Sequence, residues 1–334
     1  MRSGRGNAEF TVSEGVTGQR HIFVNLYFIE DIEAADGSWV LVDAGLAGHK
    51  SHIKKFAAKH FGPNSKPKAI LLTHGHFDHI GALQDLAREW NVPVFAHPLE
   101  LPYLTGKSHY PPADPTVGGG GMARMSFLYP TNPINISGHL KILPQDGSVP
   151  GLTGWRWFHT PGHSPGHVSF FRESDRTLIS GDAFVSTNQA SVISVATQRE
   201  EITGPPPYLT TDWEAARESV VVLAALEPEH AGTGHGKPLH GNYLKKGLRL
   251  VADNFNTISK PTDGRYVRQP ALTNEEGIVK LPPSVPDMFM RAVATVGLTL
   301  VVGTALGVSY FKKYKKQKTK ARTEGGHGPR YDLP

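Results

Sequence analysis

The chain has 334 residues, with 35 Lys+Arg against 30 Asp+Glu and 17 histidines; hydrophobic and charged contents of 39% and 19% exclude a disordered or fibrous chain and allow one large or two ordinary domains. The absence of cysteine excludes disulfides, thiolate metal sites and a cysteine nucleophile. Of the formal +5, residues 312–334 supply a net +6 from eight cationic and two acidic side chains, which leaves −1 for residues 1–311 and removes the case for a general nucleic-acid surface.

Met1–Gly18 has no apolar run, so no secretory leader is expected. Short runs rich in Val, Ile and Phe then alternate with helical periodicity. Strands are predicted at Ile22–Ile29, Trp39–Val42, Ala69–Thr73, Pro93–Ala96, Leu140–Leu143, Trp155–Phe158, His167–Phe171 and Thr177–Ser180. Helices are predicted at His49–His60, Ile80–Trp90, Asp212–Leu226 and Asn242–Asn256, the third opened by the cap signal Thr210-Thr211-Asp212. Tyr110–Pro133 is rich in Gly and Pro but carries Met, Phe, Leu and Tyr, and reads as an ordered loop or lid. Lys260–Pro286, with repeated Pro and little periodicity, reads as an extended stalk. Ala292–Phe311 is a 20-residue stretch without charge; as a helix it would span ~30 Å of hydrocarbon, and the basic cluster behind it favours a transmembrane reading. Gly303 and Gly307 form a GxxxG pair through which two such helices could pair as a homodimer.

The strongest chemical signal is Leu71-Leu72-Thr73-His74-Gly75-His76-Phe77-Asp78-His79-Ile80-Gly81. A strand ends at Thr73, and four potential ligands follow within six residues before a helix begins. A tight turn off a strand can aim His74 and His76 at one ion, with Asp78 and His79 facing a second. A capping aspartate would explain Asp78 but not three histidines. Imidazole and carboxylate suit zinc, with iron or manganese as alternatives. Later segments offer what such a site lacks: His159-Thr160-Pro161-Gly162-His163-Ser164-Pro165-Gly166-His167 between two strands, Gly181-Asp182 at a strand end, and Gly234-His235-Gly236, with His240 as a rival to His235.

The series HxHxDH, PGH, GD and GHG, in this order and at these intervals, resembles the metallo-β-lactamase-fold hydrolases over roughly residues 10–250, most of all their glyoxalase-II-like and lactonase-like branches. The resemblance implies an α/β fold, a four-layer αββα sandwich with the metals at one end of the two sheets. It assigns His74, His76 and His163 to a first ion, Asp78, His79 and His235 to a second, and Asp182 to a bridge between them. It places Asp43 near the site in support, and His159 and His167 flank the ligand loop as candidate supporting residues. His76, where a glutamate would mark the diiron electron-transfer branch, argues against that branch.

The organisation expected is a hydrolase domain over residues 1–258, a Pro-rich stalk over 259–287, a C-terminal transmembrane helix over 288–311 and a basic tail over 312–334. The enzyme body would be anchored by contact of residues 292–311 with the lipid bilayer; a cytoplasmic body is favoured over the opposite orientation, in which the basic tail would be cytoplasmic and the body outside, and the orientation is left open. The expected activity is hydrolysis of an ester-like bond, thioester or lactone, in a small molecule. Two divalent metal ions, zinc in the first place, would act through a bridging hydroxide, with Asp78 orienting the nucleophile. The competing classes are a mononuclear-iron oxidoreductase like the persulfide dioxygenases and a non-catalytic, membrane-tethered binding protein.

Overall fold

Along Trp39–Val42 every side chain is buried, and successive residues point to opposite faces of the strand. Trp39 and Leu41 pack with Ile53, Phe56, Leu83 and Leu86 from helices, whereas Val40 and Val42 pack with Trp155, Val168, Phe170 and Ile179 from a second sheet. A strand buried on both faces needs a layer on each side, and this alternation builds the architecture.

The structure is a computed structural model that describes residues 7–34 and 36–285. In the first sheet β1 (Asn7–Ser13), β2 (Val16–His21), β3 (Val24–Glu30) and β4 (Trp39–Val42) are antiparallel. The sheet continues in parallel through β5 (Ile70–Leu71), β6 (Val94–Ala96) and β7 (Leu140–Ile142). Its outer face is covered by α1 (Lys50–Phe61) and α2 (Leu83–Trp90), whose buried residues Ile53, Phe56 and Ala57, and Leu83, Leu86, Ala87 and Trp90, recur at helical spacing. Trp39 is held between Phe61, stacked at 4.6 Å, and Trp90, edge-on at 5.9 Å. The connections carry short helices α3 (Leu101–Leu104), α4 (Gly121–Met125) and α5 (Val192–Thr197).

The second sheet runs β13-β12-β11-β10-β9-β8, made of β8 (Ser148–Val149), β9 (Leu152–His159), β10 (Val168–Arg172), β11 (Thr177–Gly181), β12 (His230–Thr233) and β13 (Leu239–His240). It is antiparallel except for the pair β11/β12. Its outer face packs on α6 (Trp213–Ala225) and α7 (Gly241–Asp253), which is followed by α8 (Phe255–Ile258). Asp212 caps α6 by accepting from the backbone N–H groups of Glu214 and Ala215. The layers are therefore helix, sheet, sheet, helix, and the α/β sandwich expected from the sequence is the fold observed. Ends of β4, β5, β6, β9, β11 and β12 lead into one rim, where loops from both sheets meet.

The lid stretch 110–133 holds α4 and a 3-10 turn at Ser126–Leu128, and buries Val117 and Ala123 against Ala190, Tyr208 and Leu209. Residues 259–285, read above as stalk, hold the hairpin β14 (Leu272–Asn274) and β15 (Gly277–Lys280), while Tyr266 is buried and donates to the Pro112 carbonyl.

The membrane expectation is corrected. No helix among the described residues is long and apolar enough to cross a membrane. The longest, α6 and α7, have 13 residues, or ~20 Å against the ~30 Å of a bilayer core. The transmembrane helix expected at 288–311, the bilayer contact at 292–311 and the membrane-anchored location are accordingly withdrawn. That segment, Gly303, Gly307 and the basic tail lie outside the described residues.

Candidate metal centre

β5 ends in the first sheet and releases Thr73 to His79 as a turn; β9, β11 and β12 end in the second and release His163, Asp182 and His235. All seven candidate ligands are buried, and their donor atoms converge. Ligand atoms of His74, His76 and His163, of His74, His79 and Asp182, and of Asp78, His79 and His235 each lie within 4.8 Å of one another. His76 Nδ1 is 3.0 Å from His163 Nε2. Asp182 Oδ2 stands 3.2 Å from His235 Nε2, 3.3 Å from His163 Nε2 and 3.6 Å from His79 Nε2, and Asp78 Oδ2 is 3.6 Å from His235 Nε2. Asp182 thus sits between the two groups of ligands.

The converging nitrogens are those left over after the rest of the protein has engaged the rings. His79 Nδ1 meets Asp43 Oδ2 at 2.8 Å, His235 Nδ1 meets the Phe23 carbonyl at 2.8 Å, and His163 Nδ1 meets Thr210 Oγ1 at 3.3 Å. Thr73 donates its hydroxyl to Asp43 and lies 3.1 Å from His74 Nδ1. This leaves His74 Nε2, His79 Nε2 and Asp182 Oδ1 buried without any hydrogen-bond partner. Orphaned buried polar atoms are costly. Three in one cluster of imidazole and carboxylate fit a pair of divalent cations, the ligand type and the missing partners agreeing.

Electrostatics divide the cluster. Burial pushes the His74 and His76 imidazoles well below the usual histidine value, and the neighbouring histidines add to it. Burial acts in the same sense on His79 and His235. There the carboxylates outweigh it, Asp182, Asp43 and Asp78 for His79 and Asp182 and Asp78 for His235, so both rings are held above the usual value. Burial would raise Asp182, but His235, His79 and the hydrogen bond from His163 hold it well below the carboxylate range.

Of the supporting candidates, Asp43 reaches both groups, His79 directly and His74 through Thr73. It does so from a backbone φ of +61°, unusual for a residue other than glycine, which is a strain kept at the site. His167 accepts from the Asp182 backbone N–H at 2.9 Å and bonds Thr160 through its other nitrogen; burial lowers its pKa to about 3, so it stays neutral. His159 does not reach the donors. It stacks on His97 at 4.0 Å and bonds the Pro165 carbonyl. His240 pairs with His230 on the surface. Gly234 is required where it stands, since a Cβ there would fall 1.9 Å from Asp182 Oδ1.

Two further residues bear on the ligands, and of these Glu100 escapes the sequence reading. Tyr208 is buried, and its hydroxyl is pushed well above its usual value by burial and by Tyr129, Asp78 and Asp182. Glu100 is a fully buried carboxylate between the ligand loops, raised by burial against the pull of its hydrogen bonds. Its signal was a lone acid in the apolar run Val94–Leu104, just past a strand.

The metallo-beta-lactamase superfamily description matches residues 20–235. The probable metallo-hydrolase YflN of Bacillus subtilis is 44% identical over 258 residues, covering 77% of this chain and 97% of that protein. The hydroxyacylglutathione hydrolase GloC of Haemophilus influenzae is 26% identical over 117 residues, 34% of this chain and 49% of that one. Among solved structures, a B3 metallo-beta-lactamase with an active-site glutamic acid superposes with a TM-score of 0.50 at 19% identity, covering 73% of this chain and 86% of that one, and so shares the fold.

Proposed function

The chain belongs to the metallo-beta-lactamase superfamily and is a metallohydrolase; from that premise we propose that it cleaves an ester-like bond, a thioester or a lactone, in a small molecule. The observation that carries the hydrolytic site is the convergence of seven buried candidate ligands, three of which present a buried polar atom without a hydrogen-bond partner. For the thioester in particular, support comes from the similarity to a protein named as a hydroxyacylglutathione hydrolase.

In this reading His74, His76 and His163 would hold one cation and Asp78, His79 and His235 the other, with Asp182 shared; zinc suits the donor set first, then iron or manganese. Bound there, two divalent cations would supply Lewis acidity and activate water as a nucleophile at neutral pH. The chain's own residues do the rest. Asp78 orients the attacking water and takes up its proton. Asp43 holds His79, and through Thr73 His74, in the tautomer that leaves Nε2 free. Tyr208 keeps its proton at neutral pH and serves as hydrogen-bond donor to the substrate beside Asp78. Phe77, between the ligands His76 and Asp78, packs on Tyr129 of the lid at 5.4 Å, and Tyr129 on Tyr208 at 5.5 Å. These rings exclude water from one side of the mouth. Met125, Phe127 and Leu128 are exposed on the same lid segment and offer an apolar rim for an acyl group.

The test is metal analysis of the purified chain with a panel of thioester, lactone, phosphodiester and β-lactam substrates. Two ions per chain and turnover of the first two classes support the reading. One iron with oxygen uptake, or full activity retained in His76→Ala, rejects it.

A further inference from the structure

Glu100 donates nothing to the metal cluster, yet all of its acceptor capacity is used around it. Oε1 accepts from the Ser164 hydroxyl at 2.7 Å and the Gly166 N–H at 2.9 Å, and Oε2 from the Gly75 N–H at 3.0 Å and the Tyr110 hydroxyl. Gly75 lies between His74 and His76, in the loop from the first sheet. Ser164 follows His163, in the loop from the second. Tyr110 opens the lid, with its ring 4.7 Å from that of His76 and stacked at 3.9 Å on Tyr103.

We propose that Glu100 is the positioning residue of the His74/His76/His163 pocket, a single carboxylate that clamps the two ligand loops in register and ties the lid to both. The physical need is visible at the ligands. His76 Nδ1 and His163 Nε2 come from different sheets and approach to 3.0 Å. As ligands of one cation both nitrogens must turn lone pairs to the same point and give up the hydrogen bond between them, so something outside the pair must hold the loops together. Glu100 does this from a 3-10 turn at Pro98–Glu100 anchored directly after β6, with His97 capping the turn by accepting from the Leu99 N–H. The approach is close enough that a Cβ at Gly166 would fall 2.7 Å from Glu100 Cγ. Among the described residues Glu100 has no hydrogen bond to Asp78, His79 or His235, so its direct contacts are with the loops of one pocket.

The inference rests on the reading of the cluster as two metal pockets, and the experiment separates the two. The full chain is stripped with chelator and titrated with cobalt(II), whose absorption follows each equivalent, in wild type, Glu100→Gln, Glu100→Ala and Ser164→Ala. Glutamine keeps one acceptor but turns an amide N–H against two donors, and alanine removes the clamp. Both should lower the affinity of one equivalent about 10–100-fold, the scale of lost outer-shell partners, and leave the other within a few-fold. Ser164→Ala, with one donor of four removed, should fall between these and wild type. A generally loosened fold would weaken both equivalents alike. Wild-type affinity for both equivalents in the Glu100 variants, or equal loss of both, overturns the proposal alone; a wild-type chain that takes up no cobalt overturns it together with the metal reading. Should the Glu100 variants fail to fold by circular dichroism, Ser164→Ala and Tyr110→Phe carry the same comparison, and unchanged stepwise affinities in both overturn it.

Discussion

The two halves of the site differ in what surrounds them. The His74/His76/His163 pocket is lined by imidazoles, two of which burial keeps neutral, and the hydrogen bonds around it come from Glu100, Thr210 and Thr73. The Asp78/His79/His235 pocket carries carboxylates within and behind it, and these hold its two histidines above their usual pKa. On the proposed assignment one half, organised by geometry, would offer neutral imidazoles to a cation, whereas in the other, organised by charge, a cation would compete with protons.

The largest effect should come from removing what the halves share. Asp182→Ala leaves three converging histidine nitrogens without their common carboxylate. It should cost both ions, measured by metal analysis, and lower hydrolysis by about a thousandfold or more, the scale of a lost preorganised electrostatic contact. Near-normal turnover would show that the halves act independently.

Asp43→Asn should lower metal affinity about 10–100-fold, more in the pocket of His79, which Asp43 touches, than in that of His74, which it reaches through Thr73. Stepwise titration checks this, and equal losses would remove the distinction.

Acidity should separate the halves by sign. His79 and His235 are raised, so in the metal-free protein their protonation contributes stability that is fully present below ~6.5 and is lost as pH rises through their folded values. His74 and His76 are lowered, so they oppose folding below ~6.5 and cease to do so above it. One equivalent of metal should therefore bind more tightly as pH rises above neutrality, with proton release, while the other changes little. Calorimetry in buffers of different ionisation enthalpy reads the released protons, and identical pH slopes would contradict the charge asymmetry.

The smallest effect is expected for Thr210→Val, which removes the partner of His163 Nδ1 together with that hydroxyl's own hydrogen bond to the Pro206 carbonyl. A few-fold loss in one equivalent should follow, on the order of one hydrogen bond worth about 1 kcal/mol.

Parts of the molecule were plain in the chain. His74 to His79 lie within six residues of a strand end, and the apolar runs at Trp39–Val42 and Thr177–Gly181 are buried on both faces, so local composition announces them. β1 and β2 were missed because only Phe10, Val12 and Val16 mark their inner face among polar residues. β12 was missed because His230-Ala231-Gly232-Thr233 has little β-branched character, its place in the sheet being set by parallel pairing with β11. The hairpin at 272–280 lies in a stretch whose prolines dominate any reading by composition. The transmembrane expectation rested on an uncharged stretch and the basic cluster behind it, and no helix of sufficient length stands among the described residues.

By itself the sequence determined which chemistry the chain can carry: histidines and aspartates without a cysteine, spaced off strand ends, with a body near neutral charge. Tertiary structure alone decided which nitrogen of each histidine is left free, that Asp43 serves both pockets, that His167 supports Asp182 while His159 does not, and that Glu100 joins loops from opposite sheets. The reason is physical. A ligand's type and its neighbours in the chain are local properties, whereas a hydrogen-bond partner is chosen by packing between segments far apart in sequence, as Glu100 is from Gly166, and no local pattern encodes that distance.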